Sequence, residues 1–169
     1  MPKMTAAEQE EFLAEPGILM RIAVVRADGS PLVTPIWFMH RDNAIWFTPR
    51  EKSVWFGCLR RDARLSLCID EQPSPYRKVI VEGEAELVHD VGNDDAWRDL
   101  YRDIAVKYVG DAAGNAYVDN TIAQPRGLYR VDLSAAGNKV RNWRMPVDNE
   151  AAEGIWHDRY YVEPGTKFS

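Results

Sequence analysis

The sequence lacks the features that mark several large classes of protein. It has no run of about 18 apolar residues, the length that a membrane-spanning helix requires. Its 2 cysteines and 3 histidines form no CxxC pair and no HExxH motif, so neither a metal site nor a Ser/His hydrolase is indicated. The motifs GxGxxG and GxxxxGK(S/T) are also absent, which removes the usual signs of dinucleotide binding and of P-loop chemistry.

Charge and cysteine usage narrow the partners and the compartment. The formal net charge of −5 disfavours a nucleic-acid partner. The first 17 residues are polar and acidic, unlike a secretory signal. Cys58 and Cys68 stand apart in the sequence and are typical of buried thiols in a reducing compartment. We therefore expect a cytoplasmic protein whose partners include neither nucleic acid nor membrane.

Period-two alternation of apolar residues organises the stretch from residue 32 to residue 88. Turn residues separate its apolar runs, which predicts an antiparallel sheet. Runs that are apolar on both faces need covering twice, as in a closed barrel that also packs on a partner. Pro35 lacks an N–H and predicts an edge or a bulge, and Gly83 predicts a bulge or a close backbone approach. The predicted strands cover residues 32–39, 44–48, 65–69 and 79–87, with a short helix at 52–61.

Helices and further strands are predicted on both sides of this stretch. A capping box from Thr5 to Glu8 begins an N-terminal helix. An apolar stripe from Trp97 to Tyr108 predicts a core-facing helix, capped by Asn93 or Asp94 and ended by Gly110. The remaining elements are strands at 18–26, 127–133 and 138–144 and a short helix at 116–123. The whole predicts a mainly β domain over residues 1–169: an N-terminal helix (1–17), a barrel of six or more strands with inserted helices (18–144), and a tail (145–169) that wraps the surface or a partner.

Cationic side chains mark the candidate binding positions. Arg50, Lys52 and Ser53 lie where a strand ends and a helix begins, which suits a phosphate but also fits a solvated helix start. Arg77 and Lys78 open a long strand and could reach an anion or form ordinary salt bridges.

A third cationic group surrounds one tryptophan. Arg141, Trp143 and Arg144 could stack on a planar ligand while a guanidinium binds its carboxylate or phosphate. An edge strand anchored by Trp143 explains the same residues without a ligand. The residues alone leave both interpretations open.

The motifs VTPIWF, IWFTPREK, LRRDARLSLCID and YRKVIVEGEAELV occur in this order. Together they resemble the pyridoxamine 5′-phosphate oxidase-like FMN-binding split barrels, a group that includes the flavin/deazaflavin oxidoreductases. The resemblance covers residues 18 to 133. It implies an antiparallel split barrel and a homodimer whose cofactor sites lie in clefts between the subunits.

The resemblance also implies roles for individual residues. In the family, a Thr/Ser and Arg/Lys segment holds the flavin phosphate, one strand lines the isoalloxazine ring, and a polar residue at the start of a later strand lies near that ring. The matching residues here are Thr48, Arg50, Lys52 and Ser53 for the phosphate, Pro35, Ile36 and Trp37 for the ring, and Lys78 with Arg77 near the ring. Trp143 and Arg144 are at best an analogue of the motif that holds the substrate phosphate in true pyridoxamine phosphate oxidases. A lysine that many relatives carry before Leu59 is replaced by Trp55.

The resemblance implies an FMN- or deazaflavin-dependent oxidoreductase that transfers hydride to or from a small, planar substrate. The cofactor performs such chemistry itself, so we assign no catalytic residue and no metal ligand. Two alternatives stay open on the same barrel. One is a non-catalytic flavin carrier or sensor, and the other is a haem-binding or haem-degrading protein with His40, His89 or His157 as iron ligand.

Overall fold

The computed structural model describes residues 1–150, which form nine strands, four α-helices and one short 3-10 helix. The described part contains no helix that is long and apolar enough to cross a membrane. The strands are β1 Met20–Val25, β2 Pro31–Ile36, β3 Met39–Arg41, β4 Ala44–Phe47, β5 Arg64–Asp70, β6 Lys78–Glu84, β7 Glu86–His89, β8 Leu128–Asp132 and β9 Lys139–Trp143. The helices are α1 Ala6–Ala14, α2 Val54–Arg61, α3 Arg98–Val109 and α4 Asp111–Asn120, and the 3-10 helix spans Asp94–Trp97.

Two antiparallel sheets form the barrel. One has the strand order β2-β1-β5-β6-β9 and the other β3-β4-β8-β7. Alternate residues of the strands point inward, and the core side chains include the fully buried Ile22, Phe47, Leu67 and Val81. The mainly β fold and its antiparallel split barrel are therefore confirmed.

The chain changes sheet at two places where the sequence pattern predicts single strands. The run at 32–39 divides into β2 and β3, and the run at 79–87 divides into β6 and β7 at Ala85. The Ala85 amide donates to the Ala63 carbonyl at 2.9 Å instead of continuing the β6 ladder. The prediction of continuous strands is wrong at these two points, because period-two patterning does not distinguish a straight strand from one that bends into a second sheet.

The irregular residues behave as their chemistry predicts. Pro35 lies on β2, an edge strand of the five-stranded sheet, as expected for a residue without an N–H. At Gly83, a Cβ atom would collide with the Asn138 side chain, so the close approach is confirmed. The amide oxygen of Asn138 accepts from the Glu84 amide at 3.0 Å, which ties the β8–β9 turn to β6.

The helical segments follow the predicted stripe with shifted ends. Trp97, Tyr101, Ile104 and Ala105 are buried, as predicted, but Trp97 ends the 3-10 helix and α3 begins only at the next residue. The predicted cap at Asn93 is therefore confirmed, but the helical segment opens with a 3-10 turn before α3. The helix predicted at 116–123 is α4, which begins five residues earlier and packs tightly on α3. A Cβ atom at Gly114 would lie 2.7 Å from the Val106 amide nitrogen.

Both ends of the described chain contact the barrel, the N-terminal end through the Met4 amide, which donates to the Asn142 side-chain oxygen at 2.9 Å. The capping box of α1 is confirmed, since the Thr5 hydroxyl accepts from the Glu8 amide at 3.2 Å and the Thr5 amide donates to the Glu8 carboxylate at 2.7 Å. The Met145 amide donates to the Pro75 carbonyl at 2.7 Å. The expectation that residues 145–169 wrap a surface falls mostly outside the described residues and stays a prediction.

Lys107 of α3 is a cation in an apolar setting. Its ammonium group donates to the Leu13 carbonyl at 2.7 Å and lies 3.9 Å from the centre of the Phe38 ring. Burial lowers the pKa of Lys107 from its ordinary value of 10.5 to about 8. The unfolded chain therefore holds this proton more tightly than the folded chain. As a result, the free energy of unfolding gains its full contribution from neutral Lys107 above about pH 10.5. This contribution is lost as the pH falls through about 8, where the buried side chain becomes charged.

Replacing Lys107 by methionine should remove this pH dependence. Between about pH 7 and about pH 9.5 we expect the free energy of unfolding to rise about 1–2 kcal/mol more for the wild type than for Lys107→Met, allowing for partial solvent screening. Urea denaturation at several pH values measures the difference. Lys3→Met, at an exposed position, is the matched control and should follow the wild type. Identical pH profiles for Lys107→Met and the wild type would contradict the expectation.

Candidate functional site

A cleft of about 340 Å³ opens where the two sheets meet α3 and α4, and we call it the arginine cleft. Its walls come from the end of β2, the β4–α2 connection, the two helices and the segment before β8. The lining residues are Thr34, Pro35, Ile36, Trp37, Thr48, Arg50, Ser53, Trp55, Tyr101, Ile104, Tyr117 and Arg126. None of them is acidic, so the charge of the lining is positive.

A larger hollow of about 720 Å³ lies beside β6 and the β8–β9 turn. Its arginines are already matched by carboxylates: Arg130 contacts Glu86 at 2.7 Å, and Arg64 contacts Asp62 at 2.6 Å. Because these arginines are already paired with carboxylates, little net charge remains in this hollow to attract a ligand. The smaller arginine cleft is therefore the better candidate.

Backbone pairing brings the two arginines of the cleft together. Arg50 and Arg126 face each other in an antiparallel bridge outside the named strands. Two backbone hydrogen bonds flank the bridge, from Gly127 to Pro49 at 3.0 Å and from Glu51 to Pro125 at 2.9 Å. Residues directly opposite in an antiparallel pair project to the same side, so both guanidinium groups reach one space.

Arg126 is a buried cation, only 6% exposed. One of its terminal nitrogens donates to the Thr48 carbonyl at 3.1 Å, and its guanidinium lies 4.3 Å from the centre of the Tyr101 ring. The Asp94 carboxylate accepts from the Arg126 backbone amide at 3.0 Å. Within residues 1–150, the guanidinium itself has no salt-bridge partner, and its Nε has no hydrogen-bond partner. A buried, unpaired charge is costly, so the site suits an anion.

Tyr117 joins the two cations. Its hydroxyl oxygen accepts from Arg50 at 2.8 Å and from Arg126 at 3.5 Å. Burial opposes ionisation of this phenol, but the neighbouring Tyr101 hydroxyl and the charges of Arg126 and Arg50 outweigh burial and lower the pKa of Tyr117 below its ordinary value. Burial raises the pKa of Tyr101 itself to about 12, so Tyr101 stays neutral.

An aromatic wall stands opposite the charges. Trp37 stacks on Tyr108 with ring centres 5.1 Å apart and an interplanar angle of 6°, and the tilted Tyr117 ring lies 5.2 Å away. The Tyr108 hydroxyl accepts from the Phe38 amide at 3.3 Å and donates to the Ile18 carbonyl at 2.7 Å. These contacts hold Trp37 in place as one wall for a planar ligand.

The start of α2 supplies further donors. Ser53 is its N-cap residue, yet the Ser53 side chain makes no capping hydrogen bond. The first amides of any helix lack partners within the helix, and they favour negative charge. The hydroxyl of Ser53 and these amides therefore add to the positive character of the cleft.

The predicted site residues separate into two groups. Six of them line the cleft: Pro35, Ile36, Trp37, Thr48, Arg50 and Ser53. Lys52 is exposed and lines a separate small hollow with Gln124 and Pro125. Arg77, Lys78, Trp143 and Arg144 lie outside the cleft in the described chain.

The second group takes part in structural contacts. Arg77 binds Glu71 at 2.6 Å and Glu15 at 2.7 Å, and Arg144 binds Glu150 at 2.6 Å. Trp143 is 3% exposed and lies opposite Lys78 in the β6–β9 ladder. For Arg77 and Trp143, these contacts match the alternative interpretations that need no ligand.

Sequence patterns missed six residues of the cleft, and four of them bear on its chemistry: Trp55, Tyr101, Tyr117 and Arg126. Tyr101 belongs to the stripe predicted to face the core, and it is indeed buried, but it also borders the cleft. Trp55 stands at the position of the lysine that the family resemblance implies. That difference predicted altered cofactor contacts, but it did not predict that Trp55 lines the cleft. Arg126 carries no local signal, because backbone pairing with Arg50 brings it to the site. Tyr117 carries none either, because it reaches the site through the packing of α4 on α3.

The hydrogen-bond donors that line the arginine cleft decide which ligands fit there. Acceptor-rich anions on a planar body suit the unpaired Arg126 Nε and the Trp37 wall, so a flavin-type cofactor with a phosphate fits. None of the described residues that line the cleft is a histidine or a cysteine, the commonest protein ligands of haem iron. Residues 1–150 also contain no cluster of His, Cys, Asp and Glu that could hold a metal ion.

Structural comparison finds similar folds. A conserved hypothetical protein from Mycobacterium tuberculosis is 23% identical with a TM-score of 0.68, covering 90% of this chain and 94% of its own. An F420 reductase is 22% identical with a TM-score of 0.54, covering 79% and 92%. A FAD-binding protein from Mesorhizobium loti is 17% identical with a TM-score of 0.57, covering 84% and 97%. Haem-binding proteins also occur among the neighbours. At these identities, the likeness shows the fold alone.

Sequence comparison is more specific. No curated protein matches the chain. The family model described as pyridoxamine 5′-phosphate oxidase matches residues 5–138, which is well over half of the sequence and spans β1 to β8. With its two antiparallel sheets, the chain therefore belongs to the pyridoxamine 5′-phosphate oxidase family of split-barrel proteins.

Proposed function

We propose that this protein binds a flavin or deazaflavin cofactor, FMN in the first instance, in the arginine cleft and acts as an oxidoreductase on a small, planar substrate. One observation carries the proposal. Arg50 and Arg126 project into one space without a carboxylate partner among the described residues, beside a stacked aromatic wall. A planar cofactor with a phosphate matches both halves of this arrangement.

The chain's own residues have defined tasks in this proposal. Arg50, Arg126 and the amides at the start of α2 hold the phosphate, while Trp37 and the β2 edge at Pro35 and Ile36 border the ring. When bound, the cofactor supplies hydride transfer. The protein binds and orients the reactants and excludes water. No side chain is assigned as a catalytic acid or base.

The structural neighbours support this choice of cofactor. One carries the name F420 reductase and another is called FAD-binding, both on the same fold. Haem-binding neighbours exist, but the cleft offers iron no histidine: His40 lies in β3 and His89 ends β7. His157 lies outside the described residues. A non-catalytic carrier would use the same cleft and differs only in showing no turnover with a reduced cofactor.

We also propose a cytoplasmic homodimer with the cofactor at the subunit interface. The edge strand β2 leaves Val33 60% exposed, and Val54 beside the cleft is 66% exposed. Apolar side chains on an open edge favour coverage by a second chain, and family members are commonly dimeric. Cys58 and Cys68 are both free thiols, in keeping with a reducing compartment.

Removing either cleft arginine tests the phosphate site. In Arg50→Ala and Arg126→Gln, we expect FMN affinity to fall about 10- to 150-fold, because each loses a charge-assisted contact of about 1.5–3 kcal/mol. Fluorescence titration with FMN measures the change, and circular dichroism checks the fold. Lys52→Ala removes the same charge outside the cleft, so its affinity should change less than about threefold. An equal loss of FMN affinity in Lys52→Ala would indicate that Lys52 binds the phosphate, and it would contradict the assignment of the phosphate to the arginine cleft.

Trp37→Leu tests the aromatic wall separately. We expect FMN and riboflavin to lose affinity to the same extent, about 3- to 10-fold, because both share the ring and only the stacking surface is removed. Trp46→Leu, which changes a tryptophan outside the cleft, serves as the matched control in the same titrations. Unchanged affinity for both ligands in Trp37→Leu would show that the ring lies elsewhere.

A further inference from the structure

We propose that the hydroxyl of Tyr117 donates a hydrogen bond to an oxyanion of the ligand in the arginine cleft, so that oxyanion binding requires Tyr117 to be protonated. The inference rests on the proposed function and extends it by naming the group that recognises the ligand's charge. Neither the family motifs nor the local sequence pattern around Tyr117 points to this residue.

The hydrogen-bond geometry defines the role. Two cationic donors, from Arg50 and Arg126, approach the Tyr117 oxygen and occupy its acceptor positions. The hydroxyl proton must then point away from both guanidinium groups. Within residues 1–150, Tyr117 has no hydrogen-bond acceptor, although its side chain lines the cleft. An acceptor on the ligand would satisfy this proton.

Packing holds the phenol in position. The Tyr117 ring contacts Trp37 at 5.2 Å and Tyr101 at 6.3 Å between ring centres. One turn earlier in α4, Gly114 lies so close to α3 that a Cβ atom would be 2.7 Å from the Val106 amide nitrogen. The close helix contact sets the depth at which Tyr117 enters the cleft.

The groups around Tyr117 offer donors and no carboxylate. Arg50 faces it from the β4–α2 connection, Arg126 from the segment before β8, and Tyr101 from α3. Burial raises the pKa of Tyr101, which keeps the proton of this neighbouring hydroxyl on its oxygen. Among the described residues, the Tyr117 proton and the free Nε of Arg126 are thus two unsatisfied donors at one end of the cleft. Such an end matches a group that only accepts hydrogen bonds: a phosphate or a carboxylate.

Ionisation of Tyr117 would reverse its effect. A tyrosinate at this position would form ion pairs with both arginines and would repel the incoming oxyanion. Because the Tyr101 hydroxyl and the charges of Arg126 and Arg50 lower the pKa of Tyr117, the affinity for an oxyanion should fall at a lower pH than an ordinary phenol would set. By the same linkage, a bound phosphate should raise the pKa of Tyr117, since it neutralises the arginines and accepts the phenol proton.

Two measurements on the intact protein test the inference. The first is the affinity for FMN and for riboflavin, from neutral pH to about pH 10, in the wild type, Tyr117→Phe and Tyr76→Phe. We expect Tyr117→Phe to bind FMN about tenfold more weakly at neutral pH and to lack the alkaline decline, with riboflavin binding unchanged. Tyr76 is an exposed tyrosine outside the cleft, so Tyr76→Phe should follow the wild type.

The second measurement needs no flavin and no activity. Tyrosinate absorbance in the near ultraviolet is titrated with and without inorganic phosphate in the wild type and in Tyr117→Phe. We expect one phenol to ionise below the others, to move to higher pH with phosphate, and to be missing from Tyr117→Phe. Circular dichroism of the variant shows whether its fold is retained.

The outcomes separate this inference from the proposed function. A phosphate-dependent shift of the Tyr117 titration without FMN binding supports the inference and contradicts the cofactor proposal. The same shift with FMN and riboflavin bound equally assigns the oxyanion to the substrate rather than to the cofactor. FMN binding that is identical in Tyr117→Phe and the wild type at every pH, with no phosphate-dependent shift, overturns the inference and leaves the cofactor proposal standing.

Discussion

The short antiparallel pairing between residues 49–51 and 125–127 is the constraint on which the candidate site depends. It joins the connection after β4 to the segment before β8, and it places Arg50 directly opposite Arg126. Neighbouring cations normally separate in solution. Here the two backbone hydrogen bonds beside the bridge hold them on one side of a common ladder, so the positive charge of the cleft is set by main-chain geometry rather than by flexible side chains.

Burying the charged guanidinium of Arg126 costs free energy, and two contacts in the fold offset part of that cost. The Thr48 carbonyl and the Tyr101 ring each satisfy a portion of the guanidinium. One nitrogen nevertheless remains without a partner in the described chain. Local departures of this kind from complete satisfaction are typical of positions kept for binding rather than for stability.

The same residue type has opposite roles elsewhere in the molecule. Arg77 contacts the carboxylates of Glu15 and Glu71, which links α1 to the connection between β5 and β6. The Arg77 guanidinium is thus paired with carboxylates, while within residues 1–150 the Arg50 guanidinium contacts only the Tyr117 hydroxyl oxygen. Charge alone does not make an arginine a ligand-binding residue. The nearby carboxylates decide whether it is free to bind.

Local chemistry was sufficient to predict the elements of this protein. Alternating apolar residues predicted the strands, the capping box predicted α1, and Pro35 predicted an edge, because each depends only on neighbours along the chain. The motif order from VTPIWF to YRKVIVEGEAELV was also sufficient for the family. Tertiary structure decided the rest. The meeting of Tyr117 and Arg126 with Arg50 depends on contacts between segments more than 60 residues apart. The bends that divide residues 32–39 and 79–87 depend on which strands pair in each sheet. The sequence carries no periodic signal for either feature.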